Sequence, residues 1–259
     1  MFVKLVSKIL FIAIVVLAAM YPVLNPPKSS NKETHSVVKN TALPDFTTYT
    51  DVKQKKVAFF TYLTPYVEQI NAEIAVKRDF IKGINKLPEN SNELKKLMKI
   101  ADSYDVDTGI EFTELKRRLL LKVDGLPLVL VLMQAANESA WGTSRFALEA
   151  NNLFGQWCFK KGCGLIPSGR PAGKTYEVRK FKYPISSIRS YFHNLNTGNA
   201  YKKLRTLRAQ LRKDNKELDA TIIADGLISY STRREEYIAE LKHMIRINKK
   251  YIINQPTVK

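Results

Sequence analysis

The sequence predicts a mainly α (α+β) fold: a helical domain with a small β-hairpin lobe, preceded by an N-terminal membrane segment and extra helices. Three observations lead there. Apolar residues recur at helical spacing over long stretches, as Phe59, Leu63, Val67, Ile70, Ile74 and Ile81 do. A stretch rich in strand formers, residues 174–183, follows a cluster of Gly, Pro and Ser and interrupts that periodicity. An uncharged apolar run near the N-terminus gives way at once to a polar segment.

With 259 residues and 45% hydrophobic content the chain can bury a sizeable core. Its 42 basic and 24 acidic residues leave a net charge of +18, a balance that suits nucleic acid, anionic lipid or an anionic cell-wall polymer. The N-terminus chooses among them. Lys4 and Lys8 precede the apolar run over residues 9–24, which makes an export signal and orients the remainder outside the cytoplasm. The run is at the short edge of what spans a bilayer, and Ala18-Ala19 is a weak cleavage cue. Residues 1–24 therefore read first as a signal anchor, or uncleaved signal, and second as a cleaved signal peptide. The expected location is the periplasm or cell envelope, with the inner membrane as a partner through this segment. Nucleic acid ranks last, because export removes the domain from it.

Residues 25–50 are rich in Pro, Ser, Thr, Asn and Lys and cannot bury enough apolar surface to fold alone, so they read as a flexible linker. Residues 51–124 form an N-terminal helical region, with helices expected over 57–84, 92–104 and 112–123.

The next domain, residues 125–250, opens with Leu126-Pro-Leu-Val-Leu-Val-Leu-Met133, apolar on every side and so a buried helix. Asp124 is placed to cap it, Pro127 suits its first turn, and Gly142 is placed to stop it. Glu138 then falls in the last turn. The negative end of the helix dipole and apolar neighbours both disfavour a charged carboxylate there, so its pKa should rise. That is the condition for an acid holding its proton near neutral pH. The bland alternative is a solvated or salt-bridged glutamate, which composition alone does not exclude.

A polar and aromatic turn follows at residues 151–157, then the predicted β-hairpin. Glu177 is the only acid between Glu149 and Asp214. It is either charge-paired with the surrounding basic residues or a second carboxylate facing Glu138 across a groove. In an exported chain Cys158 and Cys163 are expected to close a small disulfide loop, worth about 2 kcal/mol. No ligand-spaced His or Cys cluster supports a metal, and no cofactor motif appears. Helices are expected over 185–196, 201–213, 218–228 and 234–247. Lys202, Lys203, Arg205, Arg208, Arg212 and Lys213 read first as a solvated face and second as a contact for an anionic wall or lipid.

Gln134-Ala-Ala-Asn-Glu138-Ser-Ala-Trp-Gly-Thr-Ser-Arg-Phe146 and Asn151-Asn-Leu-Phe-Gly-Gln-Trp-Cys158 resemble the exported glucosaminidase family that includes flagellar and autolysin N-acetylglucosaminidases. Gly162-Cys-Gly-Leu-Ile-Pro167, Tyr191-Phe-His-Asn-Leu-Asn196 and Tyr230-Ser-Thr-Arg-Arg-Glu-Glu-Tyr237 extend the resemblance to residues 126–241. It implies a lysozyme-like domain acting on β-1,4 bonds of peptidoglycan glycan strands as an endo-β-N-acetylglucosaminidase. Glu138 would be the general acid, Glu177 the distal acid of the β-lobe, and Tyr230 a cleft tyrosine near the reacting sugar. Trp141, Phe154, Trp157 and Tyr237 would bind substrate by stacking on sugar rings, with buried packing as their alternative. Ala140 stands where many relatives carry glycine, a small change expected to be harmless. Two other functions compete: a lytic transglycosylase on the same fold, and a membrane-tethered module that binds wall without cutting it.

Overall fold

The computed structural model describes residues 38–89 and 91–253, all within one compact unit. The expected membrane segment at residues 1–24 lies outside them. Among the described residues no helix is long and apolar enough to cross a membrane.

Ten α-helices and three short strands make up the described fold. Helix α1, Val52–Gly83, starts on Asp51, whose carboxylate accepts from Gln54 N at 2.6 Å. It runs on through Pro65, although a proline inside a helix costs about 3 kcal/mol. The buried face of Phe59, Phe60, Leu63, Val67, Ile70 and Ile74 supplies the compensating packing. Helices α2 (Asn92–Ser103) and α3 (Phe112–Lys122) follow as expected. Helix α4, Leu128–Glu138, is the buried rod at the centre and packs against α1, α8 (Ala220–Ala224) and α9 (Glu235–Asn248). Helices α6 (Pro184–Thr197) and α7 (Lys202–Lys213) close the helical layer, with α10 (Lys250–Ile253) at the end.

The β-lobe is smaller than the sequence suggests. Strands β1 (Trp157–Cys158), β2 (Gly164–Leu165) and β3 (Glu177–Arg179) form an antiparallel sheet in the order β1-β3-β2, pairing Cys158 with Glu177 and Leu165 with Val178. Of the expected strand over 174–183 only three residues pair. A short helix, α5 (Arg145–Ala150), was not anticipated, and the helix expected over 218–228 is α8 followed by the 3-10 turn Asp225–Leu227.

Several expectations are corrected here. The linker does not extend to residue 50. Phe46 is wholly buried, Tyr62 donates to the carbonyls of Thr41 and Ala42 at 3.0 Å, and Tyr66 donates to Lys39 O at 3.1 Å. Residues 38–50 are thus packed onto α1. The N-terminal helices are not a separate region either, since their buried residues share one core with α4.

Asp124 does not cap α4. That helix has Pro127 at its N-cap position and no side-chain cap, and Asn71 instead bonds the N–H and the carbonyl of Leu126 at 2.9 and 3.0 Å. Asp124 is buried among Arg78, Arg208 and Arg212 at 3.5, 3.7 and 2.9 Å. A buried carboxylate requires charged partners, and this one draws them from α1 and α7. Arg205 and Arg208 are accordingly not on a solvated face. They are 3% and 0% exposed, and Arg208 also donates to Gly125 O and Asn196 Oδ1.

Candidate active site

Glu138 is the last residue of α4, and the chain turns sharply behind it. Ala140, Trp141 and Gly142 have φ of 50°, 58° and 77°, three left-handed residues in a row. Such strain persists only where the surroundings over-determine it. Buried Ser139 bonds Ala135 O and receives Gly142 N, at 2.6 and 2.8 Å, while Trp141 N reaches back to Ala136 O at 2.8 Å. The helix therefore stops at Glu138, ahead of the glycine expected to stop it. Gly142 serves another purpose, because a Cβ there would lie 2.5 Å from Phe46. Trp141 is wedged edge-on against Phe59 and Phe60, with Lys56 Nζ 4.9 Å from its ring. Partly buried among these contacts, its indole braces the turn.

The carboxyl itself is half-buried and its two oxygens differ. Oε1 accepts from Tyr237 Oη at 2.9 Å. Tyr237 Oη accepts from Gln134 Nε2 at 2.8 Å, and Gln134 Oε1 accepts from Tyr191 Oη. Burial holds the Tyr191 and Tyr237 hydroxyls above their ordinary range, so both keep their protons at neutral pH. With Gln134 donating to it, Tyr237 has its own hydrogen directed at Glu138. Oε2 carries no hydrogen bond among the described residues and faces Gly155, where a Cβ would lie 3.9 Å away. Burial raises the Glu138 pKa above the ordinary carboxylate value. The Tyr237 hydrogen bond and the charge of Arg233 oppose this without cancelling it.

Aromatic rings fix the surroundings. Phe154 stacks on Tyr191 with centroids 4.0 Å apart, and Tyr230 stacks on Tyr237 at 5.7 Å. Tyr230 Oη donates to Phe154 O at 2.9 Å, tying the 154–155 backbone beside Glu138. Asn152 shapes that loop: its Oδ1 accepts from Gln156 N at 3.0 Å and its Nδ2 donates to Arg179 O at 2.9 Å. Phe154 is thus a buried packing residue, whereas Trp157 is half exposed, edge-on to Tyr176 at 4.6 Å.

Glu177 sits in the β-lobe, and both of its oxygens are engaged. They accept from Gly162 N at 2.9 Å, inside the loop closed by the Cys158–Cys163 disulfide, and from Gly164 N at 2.8 Å, just past it. These backbone donors hold its carboxyl below the ordinary range. Glu177 and Glu138 share no hydrogen-bonding partner among the described residues.

A half-buried carboxyl with one oxygen anchored and one open suits proton donation to a substrate oxygen. The family model described as mannosyl-glycoprotein endo-beta-N-acetylglucosaminidase matches residues 117–250. Protein bax of Escherichia coli (strain K12) is 34% identical over 228 residues, covering 86% of this chain and 81% of that protein. The chain belongs to the glucosaminidase family. It is a glycoside hydrolase of the endo-β-N-acetylglucosaminidase type. No solved structure gives a significant match.

Within this glucosaminidase, the sequence reading named Glu138, Tyr230 and Tyr237, and the fold brings these three together. It did not single out Gln134, Tyr191 or Asn152, which orient them. Gln134 is fully buried in an otherwise apolar helix. A polar residue inside such a run is the signal that could have pointed to it, since a buried amide needs partners.

Proposed function

We propose that the protein is an exported enzyme that cleaves β-1,4 bonds of peptidoglycan glycan as an endo-β-N-acetylglucosaminidase, with Glu138 as general acid. The observation that carries this reading is the asymmetry of the Glu138 carboxyl. Tyr237 occupies Oε1, which leaves the acid proton to Oε2 on the side facing Gly155. From Oε2 the proton passes to the glycosidic oxygen as the bond to the anomeric carbon breaks, and the departing sugar leaves as an alcohol. Water then attacks the anomeric carbon, directly or after capture by the substrate's own N-acetyl oxygen, and the proton it sheds returns to the Glu138 carboxylate, directly or through solvent. Glu177, bound to two backbone N–H groups, holds the β-lobe in shape. Exposed Trp157 is the aromatic best placed to stack on a sugar.

The substrate and location rest on other features. A net charge of +18 suits an anionic wall, and residues 1–24 have the pattern of an export signal or inner-membrane anchor. One observation favours a second reading. With Glu177 engaged, Glu138 is left as the candidate acid with an open oxygen among the described residues, and one such carboxyl is all that a lytic transglycosylase requires. Mass spectrometry of purified peptidoglycan digested by the protein separates the two. Reducing N-acetylglucosamine ends support the hydrolase, and 1,6-anhydro-muramic ends would replace it with the transglycosylase.

A further inference from the structure

Helix α6 presents Tyr191 to the Glu138 network on one side and Arg189, Ser190 and His193 to a cavity on another. This cavity, of about 520 Å³, lies between α1, α6 and the end of the β-lobe. Its apolar lining includes Ile70, Ile74, Phe181 and Phe192, all buried. Its charged lining is Glu73, Lys77, Arg179 and Arg189.

These charges do not cancel. Arg189 engages both oxygens of Glu73, and that pairing holds the Glu73 carboxyl below its ordinary range. Lys77 and Arg179 form no hydrogen bond or ion pair through their side chains among the described residues. Lys77 Nζ lies 5.7 Å from the Tyr104 centroid and feels the Glu73 charge without pairing with it, and Arg179 Cζ lies 5.3 Å from the Phe181 centroid. Lys77, Arg179 and Arg189 outnumber the single Glu73 carboxylate, and this excess of positive charge beside an apolar lining fits an anion with a small apolar body.

The cavity also adjoins the catalytic loop. Arg179 N donates to Gln156 O at 2.8 Å, and Arg179 O accepts from Asn152 at 2.9 Å, so the strand bearing this arginine is bonded to the loop that sets Gly155 beside Glu138. We propose that the cavity binds a carboxylate-bearing peptide, the stem peptide carried by the glycan, with Lys77 and Arg179 holding its carboxylates. This deepens the peptidoglycan reading and rests on it for the identity of the peptide.

Calorimetric titration of the protein with stem peptides released from peptidoglycan by an amidase tests it, whether or not glycan is cut. The wild type and Glu138→Gln should bind the peptides equally. Lys77→Gln combined with Arg179→Gln should weaken binding by about tenfold and reduce the preference for peptide-bearing over peptide-free glycan by a similar factor. Peptide binding that is absent, unchanged by the double substitution, or matched by acetate alone would overturn the proposal. A protein that binds the peptides yet cuts neither glycan would refute the proposed activity and leave this site standing.

Discussion

At the scale of single residues, Glu138 is governed by two opposed influences. Burial lifts its pKa, and the Tyr237 hydroxyl, by stabilising the carboxylate, draws it down. Removing the hydroxyl should leave burial opposed by the Arg233 charge alone and raise the pKa further. In Tyr237→Phe the alkaline limb of the pH–rate profile should therefore move to higher pH, because a general acid works only while protonated. The rate should fall by about tenfold, the worth of about 1.4 kcal/mol from one positioning hydrogen bond. Gln134→Leu should also lower the rate, through misdirection of the Tyr237 hydrogen. Stability follows the opposite sign from activity. A carboxyl whose folded pKa is raised contributes fully below its unfolded pKa and loses that contribution as pH rises through the folded value. Glu138→Gln should thus melt higher than wild type at neutral pH, with the gap closing toward acid pH. Glu138 was legible in the sequence because it ends an apolar run. Its tuning network was not, since Gln134 meets Tyr191 and Tyr237 across 57 and 103 residues of chain. Ala140 is also more than a harmless substitution, because its φ of 50° lies where glycine is favoured. Ala140→Gly should raise stability by about 1 kcal/mol in thermal melts.

At the scale of elements, the helices and the presence of a small β-lobe were legible and the extent of its strands was not, for a physical reason. Period-3.6 burial repeats several times within α1, whereas β1 and β2 contribute two residues each, too few to show alternation. Capping was read less well: Asp124 suits an N-cap by type, yet three arginines from outside its own segment claim it. The β-lobe is held by its disulfide and by Glu177. Replacing both cysteines by serine should cost about 2 kcal/mol and speed amide exchange across residues 157–179. Glu177→Gln keeps one acceptor oxygen and loses the other together with the charge. It should speed exchange at Gly162 and Gly164 in the same way while retaining measurable activity. Loss of all activity with the lobe still protected would make Glu177 a direct partner in the chemistry.

At the scale of the whole molecule, the turn behind Glu138 depends on segments far from it in sequence. Trp141 is seated by Phe59 and Phe60 of α1, and Phe46 fills the space that a side chain at position 142 would occupy. Helix α1 and the segment before it, which carry no motif, thereby buttress the turn behind Glu138, and this role was invisible to pattern alone. Asp124 plays the corresponding part at the other end of α4. Burial works to raise its pKa, but the Arg212 hydrogen bond and the charges of Arg208 and Arg78 outweigh it and hold the carboxyl below the ordinary value. Asp124→Asn should cost about 3–5 kcal/mol at neutral pH, since it leaves buried arginines unpaired. A depressed carboxyl stabilises above its unfolded pKa and loses that effect as pH falls through its folded value. Wild type and variant should therefore converge in acid.

The most direct test of the central claim is the rate at which Glu138→Gln releases reducing ends from purified peptidoglycan, measured beside its melting temperature. A fold at least as stable as wild type with the rate down by about a hundredfold or more is the predicted result. Wild-type release from that variant would contradict the assignment of Glu138 as the acid.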